Sequence, residues 1–434
     1  MKNSMINKPS LAYNKLWIST LLVVVVVAVA FAVPNFLNLV EDLGHRIPQE
    51  DVQTDYVIGI IWAMILGVSI LAWPVSSRDK HCLLLVWLVK VLISLSIMLF
   101  FESQQPLDSY GYFDVSRQDN FVCAGRLYWY GSYNITRLAW LQHQLLPDSF
   151  HALKISFAMV GLIAIYLFYR AAVLFLEYED RRVFYALSLF PSLLFLSSTI
   201  SKEPVILLGV AIYAYGVVGW HRAQRLRYLI IIALGITLVF WLRFWVAAVM
   251  IVPLVFLLVL TMRGFVVKTI LIISMLVTCL IVIHRMQDNF DFKTKQDLIA
   301  NLNVYSRNFS IGGSAREASG EFTGIGSIIA YVPKGSFTAL FRPLPGEVLN
   351  PFGQLAGIEN MILLILLLLS LIRICHHWRE LQHPLVIWAI LLLLTWSTLY
   401  GFVSYNLGTV VRYKVQVLPV LLGLLLYLAR TRRT

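Results

Sequence analysis

Long apolar runs alternate along the chain with short polar interruptions, and the runs set its architecture. A helix needs about 20 mostly apolar residues to cross a bilayer. Twelve stretches approach that length, at approximately 15–33, 56–74, 82–101, 152–176, 182–199, 203–220, 226–242, 244–262, 266–284, 358–375, 384–402 and 413–429. The pattern predicts an all-α fold, a polytopic transmembrane bundle of about 12 spans. The pairs meeting at Ser201 and at Arg243 are joined so tightly that each could be one bent hairpin. Two interruptions are long, 102–151 and 285–357, and long structured loops are usually functional or disordered. Residues 107–133 are rich in Tyr, Trp and Phe, which disordered segments avoid, so an ordered loop is expected there.

Composition narrows the class. The chain has 434 residues, 59% hydrophobic and 13% charged, with a mean hydropathy of +0.76. A soluble protein of that size would carry far more charge, so the chain reads as a single integral membrane domain over 1–434. No cleavable signal is expected, because the first apolar run can span and no small-residue cleavage pattern follows it. In a soluble protein the net charge of +12 would suggest nucleic acid. Here the basic residues decorate one set of span ends, so the partner is a lipid bilayer and no nucleic acid is expected. Cys82, Cys123, Cys279 and Cys375 are scattered and form neither a disulfide framework nor a metal pattern.

Lys and Arg in the short loops orient the bundle. Lys2, Lys8 and Lys15 precede the first run, and Arg222, Arg225 and Arg227 follow the sixth. Arg263, Lys268, Arg373, Arg379, Arg430, Arg432 and Arg433 close later ones. An even number of spans places all of them on the cytoplasmic side, with both termini. The long loops 102–151 and 285–357 then lie in the periplasm or an equivalent lumen. No ATP or nucleotide sugar is available there, so a substrate must bring its own activation, as a lipid-linked sugar does.

The chemistry-bearing residues lie in those loops, in the shorter outer segments 34–55, 199–203 and 402–412, and at Arg243 between two apolar runs. Residues 108–117 place Asp108, Asp114 and Arg117 among aromatic rings, which stack on sugars while a carboxylate takes a proton from a hydroxyl. The competing reading is an interfacial aromatic belt. Residues 197–204 put Lys202 and Glu203 at the start of a helix, where free N–H groups and a positive charge suit phosphate; the alternative is an idle surface pair. Arg243, inside Phe-Trp-Leu-Arg-Phe-Trp, sits at membrane depth and serves a site or snorkels. Arg307 and Arg316 flank Ser-Ile-Gly-Gly-Ser, whose small residues leave backbone N–H groups open to anions. The proline-rich segment 342–360 presents Arg342 and Glu347, and an arginine grips phosphate with a fixed fork of donors. Arg412 opens the last span on the outer side, against the charge trend. No metal motif is present and no cofactor is expected, although a carboxylate and a phosphate could together recruit a divalent cation.

Together, residues 108–117, the Ser-Lys-Glu-Pro turn at 201–204, Arg-Pro-Leu-Pro-Gly-Glu at 342–347 and Arg412-Tyr413 resemble the outer-loop signature of bacterial polytopic membrane glycosyltransferases. That group includes the O-antigen polymerase type and the GT-C enzymes. The resemblance covers the layout of the whole chain through short motifs. It implies an inner-membrane enzyme that transfers or polymerises sugars from a polyprenyl-phosphate or diphosphate carrier, alongside other polysaccharide-assembly proteins. GT-C enzymes usually hold acidic residues in the first outer loop, so Asp42 competes with Asp108 and Asp114 as the base. O-antigen polymerases usually carry paired arginine–glycine motifs, of which only a loose version surrounds Arg307 and Arg316. The rival expectation is a transporter or flippase for lipid-linked saccharides. It would need charges lining a path, and apart from Lys90 the span centres are nearly free of them.

Overall fold

In a computed structural model the described residues are 34–104, 107–118, 131–262, 264–290, 294–310, 314–315, 321–402 and 404–430. They are almost wholly helical and, apart from an isolated bridge between Ala315 and Asn406, hold no β pairing. Seven helices are long and apolar enough to cross a membrane. In chain order they are α1 (Val52–Ala72), α2 (Ser77–Gln104), α5 (Phe150–Leu176), α8 (Lys202–Ala223), α10 (Phe244–Thr261), α14 (Pro351–Ile374) and α15 (Pro384–Gly401). An eighth crossing exists if α16 (Leu407–Lys414) and α17 (Leu418–Ala429), bent by 74°, act as one. The intervening helices are α3 (Asp108–Ser116), α4 (Gly131–Leu145), α6 (Arg181–Ser188), α7 (Pro191–Leu196), α9 (Leu226–Leu242), α11 (Phe265–Phe290), α12 (Lys295–Phe309) and α13 (Ile325–Phe341).

This count differs from twelve for identifiable reasons. The stretch 15–33 lies outside the described residues. Residues 182–199 form two short helices rather than one continuous helix: Pro191 has no N–H to donate, so α6 stops at Ser188 and α7 restarts with the proline in its first turn. The helix α9 and the apolar part of α11 reach 17 residues or fewer. The expected outer loops also carry helices of their own, α3 and α4 in the first, α12 and α13 in the second.

Caps fix the helix starts. Asp51, Ser76, Ser149 and Asn350 each accept an N–H from the first turn of α1, α2, α5 and α14. The bundle is built around α8, the most buried of the spans, which packs on α5 and α9. Against α9 the approach is backbone to backbone. A Cβ at Gly235 would lie 2.6 Å from the Tyr213 nitrogen and 2.7 Å from the Gly209 oxygen. In turn α15 packs on α10 and α13, and α17 packs on α14 and α15. Large apolar side chains face outward: Leu88 is 60% exposed, Ile270 60% and Leu368 59%, a surface that suits lipid.

Candidate functional site

Five elements meet at the N-terminal end of α8. The N-cap Ser201 is in extended conformation and its side chain makes no capping hydrogen bond, while Pro204 in the first turn has no N–H to offer. Glu203, in that first turn, is fully buried. A buried carboxylate must be paired, and here two arginines do it. Its Oε1 accepts from Arg243 Nη2 at 3.2 Å and lies 3.1 Å from Arg412 Nε. Its Oε2 has no hydrogen-bond partner among the described residues.

Arg243 is the single residue between α9 and α10, held in extended backbone conformation (φ −149°, ψ 90°). Its guanidinium lies 4.3 Å above the Tyr413 ring and donates to the Tyr400 hydroxyl at 3.2 Å, which also accepts from Trp245 Nε1 at 3.3 Å. Stacking and hydrogen bonds on all sides make it a fixed charge rather than a snorkelling one. Arg412, on α16, spans the cluster. While its Nε faces Glu203, its Nη1 donates to Asp108 Oδ2 at 3.1 Å. The Asp108 side chain is 64% exposed, so the network runs from a buried carboxylate to one open to solvent.

Lys202 lies within electrostatic reach of Arg243, Glu203, Arg412 and Asp108. Among the described residues its ammonium has no hydrogen-bond or ion-pair partner. Tyr112 shares a face of α3 with Asp108, four residues away, and is buried. Burial holds its phenol above the usual tyrosine pKa, so it stays a proton donor. The cluster thus offers one accessible carboxylate, an ammonium with no partner among the described residues, an arginine shared between two carboxylates and a helix N-terminus without a side-chain cap.

On the other face of α3, Tyr110 donates to the Glu102 carbonyl at 3.2 Å. Glu102 forms a buried ion pair with Lys154 at 2.7 Å, and nearby Asp55 meets His151 Nδ1 at 2.5 Å. The hairpin α3–α4 is closed by His143 Nε2, 2.9 Å from Ser116 Oγ. It docks on α9 through Asn134 Nδ2, which donates to the Trp241 carbonyl at 2.5 Å.

The expected site residues therefore separate into groups. Asp108, Lys202, Arg243 and Arg412 converge, and the Lys202–Glu203 pair is no idle surface pair, since Glu203 is buried between arginines. Asp114 is exposed elsewhere on α3. Arg117 staples segments together, donating to the Pro48 carbonyl at 2.8 Å and pairing with Asp148 at 2.7 Å. Asp42 is exposed, and its carbonyl accepts from His45. Arg307 pairs with Glu321 on the surface. Arg316 lies outside the described residues.

Arg342 Nε donates to Glu347 Oε2 at 2.8 Å, and the same oxygen accepts from the Leu344 N–H at 2.8 Å, so the two residues brace their own loop. That loop reaches α16 indirectly. Asn360 Nδ2 donates to the Pro343 carbonyl at 2.8 Å, and buried Lys414 donates to Asn360 Oδ1.

Sequence reasoning missed Glu203 as the hub, along with Tyr400. The signal was present: two arginines ending apolar runs need a buried counter-charge, and Glu203 is the carboxylate at that level. It also underestimated charge within the bundle, where Lys154, Glu359 and Lys414 are buried as well as Lys90. Among the described residues no three His, Cys, Asp or Glu side chains group as a metal site would require. Protein-family models, curated proteins and solved structures were compared with the chain, and none matches it.

Proposed function

We propose that the chain is a membrane glycosyltransferase or polysaccharide polymerase of the inner membrane, working on the periplasmic face with a polyprenyl-linked sugar phosphate. The proposal keeps the twelve-span topology with both termini in the cytoplasm, counting α9, α11, α6 with α7, and 15–33 as crossings. The observation that carries it is the exposed Asp108 carboxylate held 3.1 Å from Arg412, beside the α8 N-terminus and Lys202, which has no partner among the described residues. In the proposed reaction an acceptor hydroxyl oxygen attacks the anomeric carbon while the bond from that carbon to the carrier phosphate oxygen breaks. The hydroxyl proton passes to Asp108, and the phosphate leaves with the bonding electrons. Lys202 and the free edge of Arg412 take up the charge that develops on it, which is where fixed cations accelerate most. Glu203 and Arg243 position Arg412. Arg342, braced by Glu347, holds the neighbouring loop.

The test is sugar transfer by purified protein in detergent, with lipid-linked oligosaccharide as donor. Asp108→Asn should lower turnover by roughly 10²–10⁴-fold, the usual worth of a general base, while the protein remains folded because Asp108 is exposed. Wild-type turnover in that variant would overturn the assignment.

The buried Asp55–His151 and Glu102–Lys154 pairs favour a second reading, a transporter or flippase for the same lipid-linked saccharide, since ionisable groups within spans commonly serve transport. The two readings part in detergent, where an enzyme makes product and a flippase makes none.

A further inference from the structure

A cavity of about 360 Å³ lies at the opposite end of the bundle from Glu203, between α5, α6, α8, α15 and α17. Its size falls within the ~300–1,000 Å³ of small-molecule sites. The lining is apolar in depth and polar at one rim. Small residues stand among the lining: Ala171, Ala214, Ala389 and Gly423 take up little of the space. Gly423 is the clearest case, because a Cβ added there would meet nothing within 4 Å.

The rim carries Arg182, Arg430, Asp180, Tyr178 and Tyr427. The Arg430 guanidinium is stacked 3.9 Å from the Tyr427 ring centre. Arg182 is exposed, and no acid pairs with it among the described residues. Asp180 Oδ1 accepts the Arg182 backbone N–H as the cap of α6, so its charge is partly engaged. Nearby Glu177 is paired with Arg222, and Glu179 lies 3.6 Å from Arg170. Two guanidiniums therefore face the mouth against one half-committed carboxylate. Arg222, Arg225, Arg227 and Arg379 belong to the loops at this same end, which makes it the cytoplasmic one by charge. The leaflet on that side is the one that supplies anionic headgroups.

We propose that this cavity binds one anionic phospholipid, with an acyl chain between α5 and α17 and its phosphate on Arg182 and Arg430. Apolar depth, a cationic rim and placement at one leaflet select this ligand over a zwitterionic lipid, whose own cation would meet the arginines. The site lies at the end of the bundle opposite the proposed sugar chemistry and does not depend on it.

The experiment is native mass spectrometry of the full-length, delipidated protein titrated with phosphatidylglycerol or phosphatidylcholine. Wild type should bind one phosphatidylglycerol at least tenfold more tightly than phosphatidylcholine. Gly423→Leu, whose Cβ enters open space at the cavity wall, should lose that molecule. Arg182→Ala with Arg430→Ala should bring phosphatidylglycerol down to the phosphatidylcholine level, and these rim changes leave the core untouched. Equal affinity for the two lipids in wild type, or undiminished binding by Gly423→Leu, would overturn the proposal. So would tighter binding of an isoprenoid phosphate than of phosphatidylglycerol, or a second protein copy protecting Arg182 and Arg430.

Discussion

At the scale of single residues, charge placed where it is costly was the readable signal. Lys202, Arg243 and Arg412 stand at the ends of apolar runs, and all three reach one cluster. Arg342 shows how a local partner escapes notice: Glu347, five residues on in the same proline-rich loop, engages its guanidinium. Glu203 should be the most sensitive member. Glu203→Ala leaves two arginines without their carboxylate, and breaking a buried pair typically costs ~3–5 kcal/mol. Its thermal stability should fall well below that of Asp108→Asn, and an equal loss in both variants would mean Glu203 is not the hub. His143 gives a pH-dependent case. Burial lowers its pKa, against the pull of Asp148 and with the push of Arg117. The folded hairpin thus favours the neutral ring, and the unfolded chain takes up protons first as pH falls. His143 stabilises α3–α4 fully above its ordinary value of about 6.5 and loses that contribution as pH drops through its lowered folded value. Amide exchange in α3 should therefore accelerate on acidification, beyond the intrinsic chemical trend, and His143→Gln should abolish the excess.

At the scale of elements, helix existence was legible and helix continuity was not. Apolar runs located α1, α2, α5, α8, α10, α14 and α15 to within seven residues at each end, because the length needed to span is set by the bilayer. The run at 182–199 shows the limit: its hydropathy is continuous, but Pro191 breaks the hydrogen-bond ladder, so α6 and α7 return the chain from the end of α5 to the start of α8 in two pieces. Contact between elements was hidden for a different reason. A glycine inside an apolar run signals nothing alone, and only pairing shows that Gly209 and Gly235 let α8 and α9 touch. A side chain at 235 must push α9 away, and α9 ends at Arg243. Gly235→Leu should therefore cost about 1–3 kcal/mol, the usual range for overpacking, and should also reduce sugar transfer by pulling Arg243 from Glu203. Gly423→Leu adds the same side chain to open space and should leave the melting temperature near wild type. Equal damage from both would show that α8–α9 proximity does not place Arg243.

At the scale of the molecule, the bundle has two chemically distinct ends, and the basic loops had already divided them. The Arg222–Arg227 region, Arg379 and Arg430 collect where α5 and α8 end and α15 begins, while Asp108, Glu203 and Arg412 collect where α8 begins and α15 ends. What the sequence could not supply was which outer segments converge, because α3, α8, α10 and α16 are separated by up to 304 residues at the Asp108–Arg412 contact. The side on which each end lies is directly measurable. Cys375, after α14, is exposed at the basic end, and Asp114, on α3, is exposed near the other. In chains that keep only one cysteine, a membrane-impermeant maleimide applied to intact cells should label Asp114→Cys and leave Cys375 unlabelled until the membrane is permeabilised. The reverse order would put the Glu203 cluster in the cytoplasm, where nucleotide sugars are available and a lipid-linked donor is no longer required. Labelling of both from outside would mean that α14 does not cross, and the bundle would then have to be rebuilt with fewer spans.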